Sequence, residues 1–534
     1  PFMTSLFSSI IPAKNGSPVP LFQNGKSMHS RYDPEKEAEQ YAARMDEAGF
    51  FIVAGAGGGY FIRALKKRFP RSFILAAENS QSDIDFLMKI PVFNNLSGDE
   101  TVRIVPTEKI SDTMLRFYVP AFYGSFSIIE TPAWASENKI GIEAFRMQTA
   151  SAARAIAADY SAQAHFGKIW QRNIITNLAQ IGVQSAPAHS VQNDTSFAAP
   201  GGKTALIAAA GPSLDTAVSL IEKKRNELYI IATDTAYKSF TERGILCDAV
   251  VSIDGQLLSA QHFFSDVRTE GTFFIFDLCA NPSAIRFIKK SGGKIAFVQT
   301  GHPLSFYASL FSERKTGTAF PFIRTGAGTV TIAALDFALK AGFSKIEVCG
   351  ADFSYSEKPY MKGTYFDALY NSFSCRTEPM ETAFDALMFR TELFQNGKRR
   401  TSETLDAYRK TFESVLFETC TDIDSDGFLY RAVSEKVYPP LRFCSSFDMP
   451  SFISFFKKDF SDCETKLSYP DFSPVIASFF PAVASLRKNK NFGGEHRGID
   501  VSARLKNENS RAAFPELLKL AYAEILRYTR QYET

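Results

Sequence analysis

Six short apolar runs between residues 204 and 352 constrain this chain more than any other feature. They read TALIAAA (204–210), LYIIATD (228–234), DAVVSID (248–254), TFFIFDL (272–278), KIAFVQT (294–300) and KIEVCGAD (345–352), with helical stretches between them. Each is short, bounded by turn residues and apolar almost throughout, as a parallel strand covered on both faces must be. Strand and helix in alternation predict an α/β fold, a Rossmann-like doubly wound parallel sheet. Ligands of such sheets lie beyond the carboxyl ends of the strands. Polar residues collect there: Asp234 with Thr235, Asp254, Asp277, Thr300 with His302, and Asp352.

The first run leads directly into Gly211-Pro212-Ser213-Leu214-Asp215. Gly211 allows a sharp turn, Pro212 stiffens it, and Ser213 is the expected N-cap of a helix carrying Leu214, Ala217, Val218, Leu220 and Ile221 at helical spacing. A helix starting there with open amides is expected to hold an anion, because amide donors and the helix dipole converge on one spot. A second turn, Arg324-Thr325-Gly326-Ala327-Gly328-Thr329-Val330-Thr331, precedes a helix over 332–340. Its glycines suit close approach by a ligand and close helix packing about equally, and its threonines offer hydroxyls and caps.

The N-terminal region repeats the pattern. A strand over 50–54 meets the loop Gly55–Gly59, a helix starts at Tyr60, and the next strand over 72–77 ends at Glu78. A carboxylate there is placed to hold a ribose in dinucleotide folds. Tyr60 stands where the fingerprint has its third glycine, so a scaffold domain, with glycines for close packing, is the expected outcome. Strands over 101–105 and 126–131 extend the same sheet.

A chain of 534 residues exceeds one core. The expected division is a Rossmann-like domain over 1–140, a helical connector over 141–200, the central domain over 201–375 and a mainly helical part over 376–534. Amphipathic helices are expected within 381–418 and over 513–530. The Phe-rich stretches 446–460 and 468–483 are read as core or as an aromatic ridge for an acceptor protein, and 487–511 as a loop. With 60 basic against 57 acidic residues, an extended nucleic-acid surface is not expected. No apolar stretch approaches a bilayer span, and the opening PFMTSLFSSIIPAKNG lacks the basic leader of a signal peptide. Seven scattered cysteines without a CxxC pair point to reduced thiols and a cytoplasmic home. The six histidines show no metal-ligand spacing, so no metal ligands are assigned.

GPSLD (211–215), DAVVSIDG (248–255) and RTGAGTVTIAALDFALKAGFSKIEVCGADFSYS (324–356), in that order, together resemble the motility-associated factor (Maf) family of flagellin glycosyltransferases. That family belongs to a wider MptE-like group related to archaeal pterin pyrophosphokinases, and the GPSL and GADFSY segments are similar to bacterial sialyltransferases. The resemblance implies transfer of a nonulosonic acid, pseudaminic or legionaminic in type, from a CMP-activated donor to Ser or Thr of flagellin, in support of motility. By position, Gly211, Pro212, Ser213 and Leu214 would cradle the nucleotide phosphate, with Asp234 and Thr235 beside the nucleotide. Thr325, Gly326, Gly328 and Thr329 would line the same cleft, and Phe353, Ser354 and Tyr355 follow the last strand. No histidine after Tyr355 matches the sialyltransferase base, so Asp254 or Asp352 is expected to activate the acceptor hydroxyl. Such carboxylates equally suit Mg²⁺ on phosphates. The segment 355–363 is read as a cover for the donor or as a solvated loop. Two other functions fit: an ATP-dependent pterin phosphotransferase, and a flagellin-binding protein without catalysis.

Overall fold

The computed structural model of the chain describes residues 5–182, 196–264, 269–326, 328–396, 399–464, 472–488 and 511–533. It divides into two units, Pro1–Lys168 with Asp462–Glu524, and Ile169–Ser461 with Ile525–Thr534.

The first unit holds an antiparallel hairpin, β1 (Phe7–Pro12) and β2 (Pro18–Phe22), and a parallel sheet. The sheet comprises β3 (Phe50–Ala54), β4 (Phe73–Glu78), β5 (Val102–Pro106) and β6 (Phe126–Glu130) in the order β5-β4-β3-β6, the expected Rossmann-like arrangement. Strands β3 and β4 are buried at every residue, which explains their unbroken apolar runs.

The glycine loop after β3 is filled by the unit's own side chains. Gly55 has φ 83°, and a Cβ there would lie 2.5 Å from Cβ of Trp134. His29 Nε2 accepts from the Gly58 amide at 2.7 Å, and Glu78 accepts from the Gly57 amide at 2.7 Å and from Trp134 Nε1 at 2.8 Å. Here the glycines serve close packing, and Glu78 faces the loop amides. Burial pushes the Glu78 carboxyl up from 4.5 to about 7, against the pull of these donors. A folded pKa above the unfolded one means that the contribution to stability is complete below about pH 4.5 and lost as pH rises through about 7. Thermal unfolding is therefore expected to show falling stability from about pH 4.5 to about pH 7, with a flatter slope in Glu78→Gln. An unchanged slope in the variant would contradict this assignment.

In the second unit, β7 (Ser196–Phe197) pairs with β18 (Leu441–Arg442), and β14 (Phe394–Asn396) pairs with β15 (Arg399–Thr401). The main sheet contains β8 (Thr204–Ala208), β9 (Leu228–Thr233), β10 (Ala249–Ser252), β11 (Phe273–Asp277), β12 (Lys294–Val298), β13 (Lys345–Cys349), β16 (Asp422–Asp426) and β17 (Leu429–Val433). Its order is β12-β11-β10-β9-β8-β13-β17-β16, parallel from β12 to β13 and antiparallel beyond. One face packs Ile207, Ile231 and Val251 against the helix Val330–Lys340. On the other face Tyr237 lies edge-on to Phe274 and Phe263 lies tilted against Phe276, each at a centroid distance of 5.5 Å. Helices on both faces make this the doubly wound α/β sheet that the apolar runs predicted.

The C-terminal stretch, expected to be mainly helical, also contributes strands. The sheet takes in β16 and β17, joined by the two-residue turn Gly427-Phe428, where Gly427 has φ 68°. Glycine at the first central position suits a tight hairpin turn, which needs positive φ there. In β17 only Tyr430 and Ala432 are buried, an alternation expected of a half-solvated strand. The stretch 381–418 splits into helices Met380–Met388 and Glu403–Thr419, with β14 and β15 between them. Phe452, Phe456 and Phe460 are buried, and Phe452 packs on Tyr307 and Phe311, so this Phe-rich stretch is core and not a docking ridge. Most of the expected 487–511 loop and residues 183–195 of the connector lie outside the described residues.

Candidate active site

The chain leaves β8 toward β9 and leaves β13 toward the opposite edge, so the crevice of the sheet opens between β8 and β13. The two loops that rise there touch backbone to backbone. Gly211 N donates to Gly350 O at 2.8 Å, and a Cβ on Gly211 would lie 2.7 Å from Cγ of Asp352. Gly350 has φ 68°, and its Cβ would lie 2.9 Å from the Ala209 carbonyl carbon.

Asp352 ties the loops together. One oxygen accepts from Ser213 N at 2.8 Å and the other from Ser213 Oγ. The hydroxyl of Ser213 therefore does not cap the helix Leu214–Lys223. The amides of Leu214 and Asp215 are paired too, with Gly211 O and Pro212 O. The expected row of open donors is thus already satisfied, and a carboxylate sits where the dipole favours an anion. Burial pushes the Asp352 carboxyl up, while the Ser213 donors pull it down. Phe353 has φ 46°, the one non-glycine residue with positive φ among those described. Its carbonyl accepts from Thr401 Oγ1 at 2.9 Å and its ring packs 5.5 Å from Phe412, contacts that hold a strained turn in place. Ser354 is buried, and Tyr355 N donates to Arg400 O at 2.8 Å.

The segment that follows is pinned across the start of the Ser213 helix. Met361 N donates to Ala210 O at 2.9 Å, and Asp215 accepts from Lys358 Nζ at 2.8 Å, Arg243 Nη2 at 2.9 Å and Lys362 N at 3.1 Å. Residues 358–362 form a strap with defined anchors on the site.

At the neighbouring strand ends, Asp234 is buried and accepts from Thr235 N at 2.7 Å and from Ser252 Oγ at 2.8 Å. Asp254 is half-buried and accepts from Gln256 N at 2.9 Å. Burial first, then the charge of Asp234, pushes its carboxyl up. His262, at the end of the short turn Leu257–His262, joins this group: its Nε2 is 3.5 Å from Thr235 Oγ1 and its ring is 4.5 Å from that of Tyr365. No sequence motif marks His262; its only signal is a place in the loop after a strand end.

The remaining polar strand ends are sealed. Asp277 accepts from Thr300 Oγ1 at 2.6 Å and burial pushes it up to about 6, while burial pushes His302 down to about 3. His302 Nδ1 accepts from Leu304 N at 3.1 Å, capping the helix Pro303–Thr316. Trp170 lies edge-on to His302 at 5.9 Å, and Asn173 and Asn177 bind the carbonyls of Gly255, Leu278, Cys279 and Ala280. The second glycine loop makes internal bonds: Gly328 N and Thr329 N donate to Thr325 O at 3.0 Å, and Thr329 Oγ1 caps Ile332 N at 3.2 Å. A Cβ on Gly326 would lie 2.7 Å from Ile332 and 2.8 Å from Thr411, so packing accounts for that glycine, while Gly328 faces open space.

Among the described residues Mg²⁺ finds no prepared ligand set. Both oxygens of Asp352 and of Asp234 are engaged by amide or hydroxyl donors, and no group of three or more His, Cys, Asp and Glu among the described residues is arranged to hold a metal. No described helix is long and apolar enough to cross a membrane.

Fold and site define a Rossmann-like α/β protein whose polar loops converge at the switch point of its sheet. Residues 172–358 match the family described as 6-hydroxymethylpterin diphosphokinase MptE-like. Three similar relatives are uncharacterized proteins of Treponema pallidum (strain Nichols). One is 40% identical over 26% of this chain and 50% of its own length, another 32% over 29% and 70%, and a third 25% over 40% and 72%. The chain thus spans half the length of the first of them. A solved structure, of a Maf glycosyltransferase from Magnetospirillum magneticum AMB-1, aligns over 99% of this chain and 91% of that one, with a TM-score of 0.46 and 12% identity. The central part of the chain, residues 172–358, carries an MptE-like domain, as its motifs implied.

Proposed function

We propose that this protein is a cytoplasmic glycosyltransferase that moves a nonulosonic acid from a CMP-activated donor to Ser or Thr of flagellin. The observation that carries the reading is the junction of the Gly-Pro-Ser-Leu turn with the Gly-Ala-Asp-Phe loop through Ser213 and Asp352. In this reading the donor phosphate takes the Ser213 amide and hydroxyl, and Asp352 turns aside. Gly211, Pro212 and Leu214 shape the cradle, Asp234 and Thr235 meet the nucleotide, and Thr325, Gly326, Gly328 and Thr329 border the cleft. Phe353, Ser354 and Tyr355 set the course of the strap, which covers the donor. The bond from the anomeric carbon to phosphate breaks and CMP leaves with the electron pair. The acceptor oxygen bonds to that carbon and its proton passes to a base, for which Asp254 and Asp352 are the carboxylates at hand. The protein's contribution is to orient the hydroxyl and to stabilise the departing phosphate charge.

Intact-mass spectrometry of flagellin incubated with the protein and a CMP-nonulosonic acid tests this. A mass gain of one sugar per site with matching CMP release is expected. A second reading draws on the description of the matched family as a diphosphokinase: ATP-dependent transfer of a diphosphoryl group to a hydroxymethylpterin, with AMP released and flagellin unchanged, would establish it. Flagellin binding with neither reaction would point to the non-catalytic partner.

A further inference from the structure

His262 is 6% exposed, and its Nδ1 has no hydrogen-bond partner among the described residues. A buried polar atom left unpaired costs free energy, so one beside a polar strand-end cluster asks for a use. The surrounding bonds define its tautomer. Thr235 Oγ1 donates to Asp234 Oδ1 at 3.2 Å, so His262 Nε2, 3.5 Å from the same hydroxyl, is the donor to it. A neutral ring that carries its proton on Nε2 presents a lone pair on Nδ1. Burial holds the imidazole pKa below its usual value, with the Asp234 charge opposing, so the ring is neutral near pH 7. The ring of Tyr365, which opens the helix Tyr365–Phe373 just after the strap, lies nearly perpendicular to the imidazole at 4.5 Å, with Phe366 at 6.0 Å. The titratable groups around it are Asp234, Asp254 and Tyr365.

We propose that Nδ1 of His262, uncovered when Tyr365 moves with its helix, accepts the proton of the acceptor hydroxyl. The inference rests on the transferase reading and assigns to a histidine the step otherwise left to Asp254 or Asp352. As the acceptor oxygen bonds to the anomeric carbon, its proton passes to Nδ1. The bond from carbon to phosphate breaks, and CMP carries away the electron pair. The imidazolium that results is balanced by Asp234, through Thr235, and by Asp254. Asp352, which holds Ser213 until the donor phosphate displaces it, keeps a positioning role.

Two substitutions separate chemistry from packing. His262→Phe keeps an aromatic ring against Tyr365, and His262→Asn keeps a hydrogen-bonding group beside Thr235; neither accepts a proton. Both are expected to lower kcat by about 10²–10⁴-fold, with CMP affinity unchanged within about threefold and the acid limb of the kcat/KM profile abolished. Either variant keeping kcat within about tenfold of the parent would overturn the proposal while leaving the transferase reading intact. Loss of CMP binding in step with kcat would overturn it too, by making His262 a packing residue. A parent protein that neither transfers sugar nor releases CMP would overturn the transferase reading, and this inference with it.

Discussion

Gly350→Ala is expected to destabilise the second unit by about 3 kcal/mol and to abolish nucleotide binding. Two costs combine. A residue with a Cβ at φ 68° pays about 1–2 kcal/mol for the left-handed conformation. Its Cβ would also lie 2.9 Å from the Ala209 carbonyl carbon and 3.1 Å from Cβ of Leu214. Those atoms belong to the end of β8 and the start of the Ser213 helix, which ladder bonds hold in place, so relief comes only by prising β8 and β13 apart at the site. Gly342→Ala is the control: φ is 91° there, but nothing lies within 4 Å of its Cβ. Urea unfolding of both variants measures the difference. Equal losses would mean that the contact between the two loops is looser than described.

Trp134→Ala is expected to cost the first unit about 3–5 kcal/mol. The indole is fully buried against Gly55, and its Nε1 is one of the donors that satisfy the buried Glu78. Removing it opens a cavity and strips a partner from that carboxyl. Trp134→Phe separates the two effects, since it keeps most of the volume and loses the donor, at a cost of about 1–3 kcal/mol. Urea unfolding of the two variants provides the comparison, and a loss below about 1 kcal/mol for Trp134→Ala would contradict the packing role given to the loop.

The strands were legible because a buried parallel strand has to be apolar along its length; β3 begins and ends where the sequence pattern placed it. The hairpin of β16 and β17 was hidden because β16 reads DIDSD, acidic and mostly exposed, and edge strands need little apolar surface. At Ser213 the residue type suggested a cap, but Asp352, 139 positions further along, takes its hydroxyl, a pairing that local pattern does not contain. The polar strand ends looked alike in sequence. Trp170, Asn173 and Asn177 then separate them, closing over the ends of β11 and β12 while Asp234, Asp254 and Asp352 remain around the β8 crevice. His262 escaped for the same reason: burial, an unpaired Nδ1 and a place beside Thr235 and Asp234 mark it, and all are tertiary properties.

The most direct test of the donor site is calorimetric titration with CMP, and with AMP as control, of the parent protein and of Ser213→Trp shown to be folded. The account predicts CMP binding in preference to AMP, lost in the variant because the indole fills the turn and removes the hydroxyl. CMP affinity untouched by the substitution, or no CMP binding by the folded parent, would contradict a donor site at the meeting of β8 and β13.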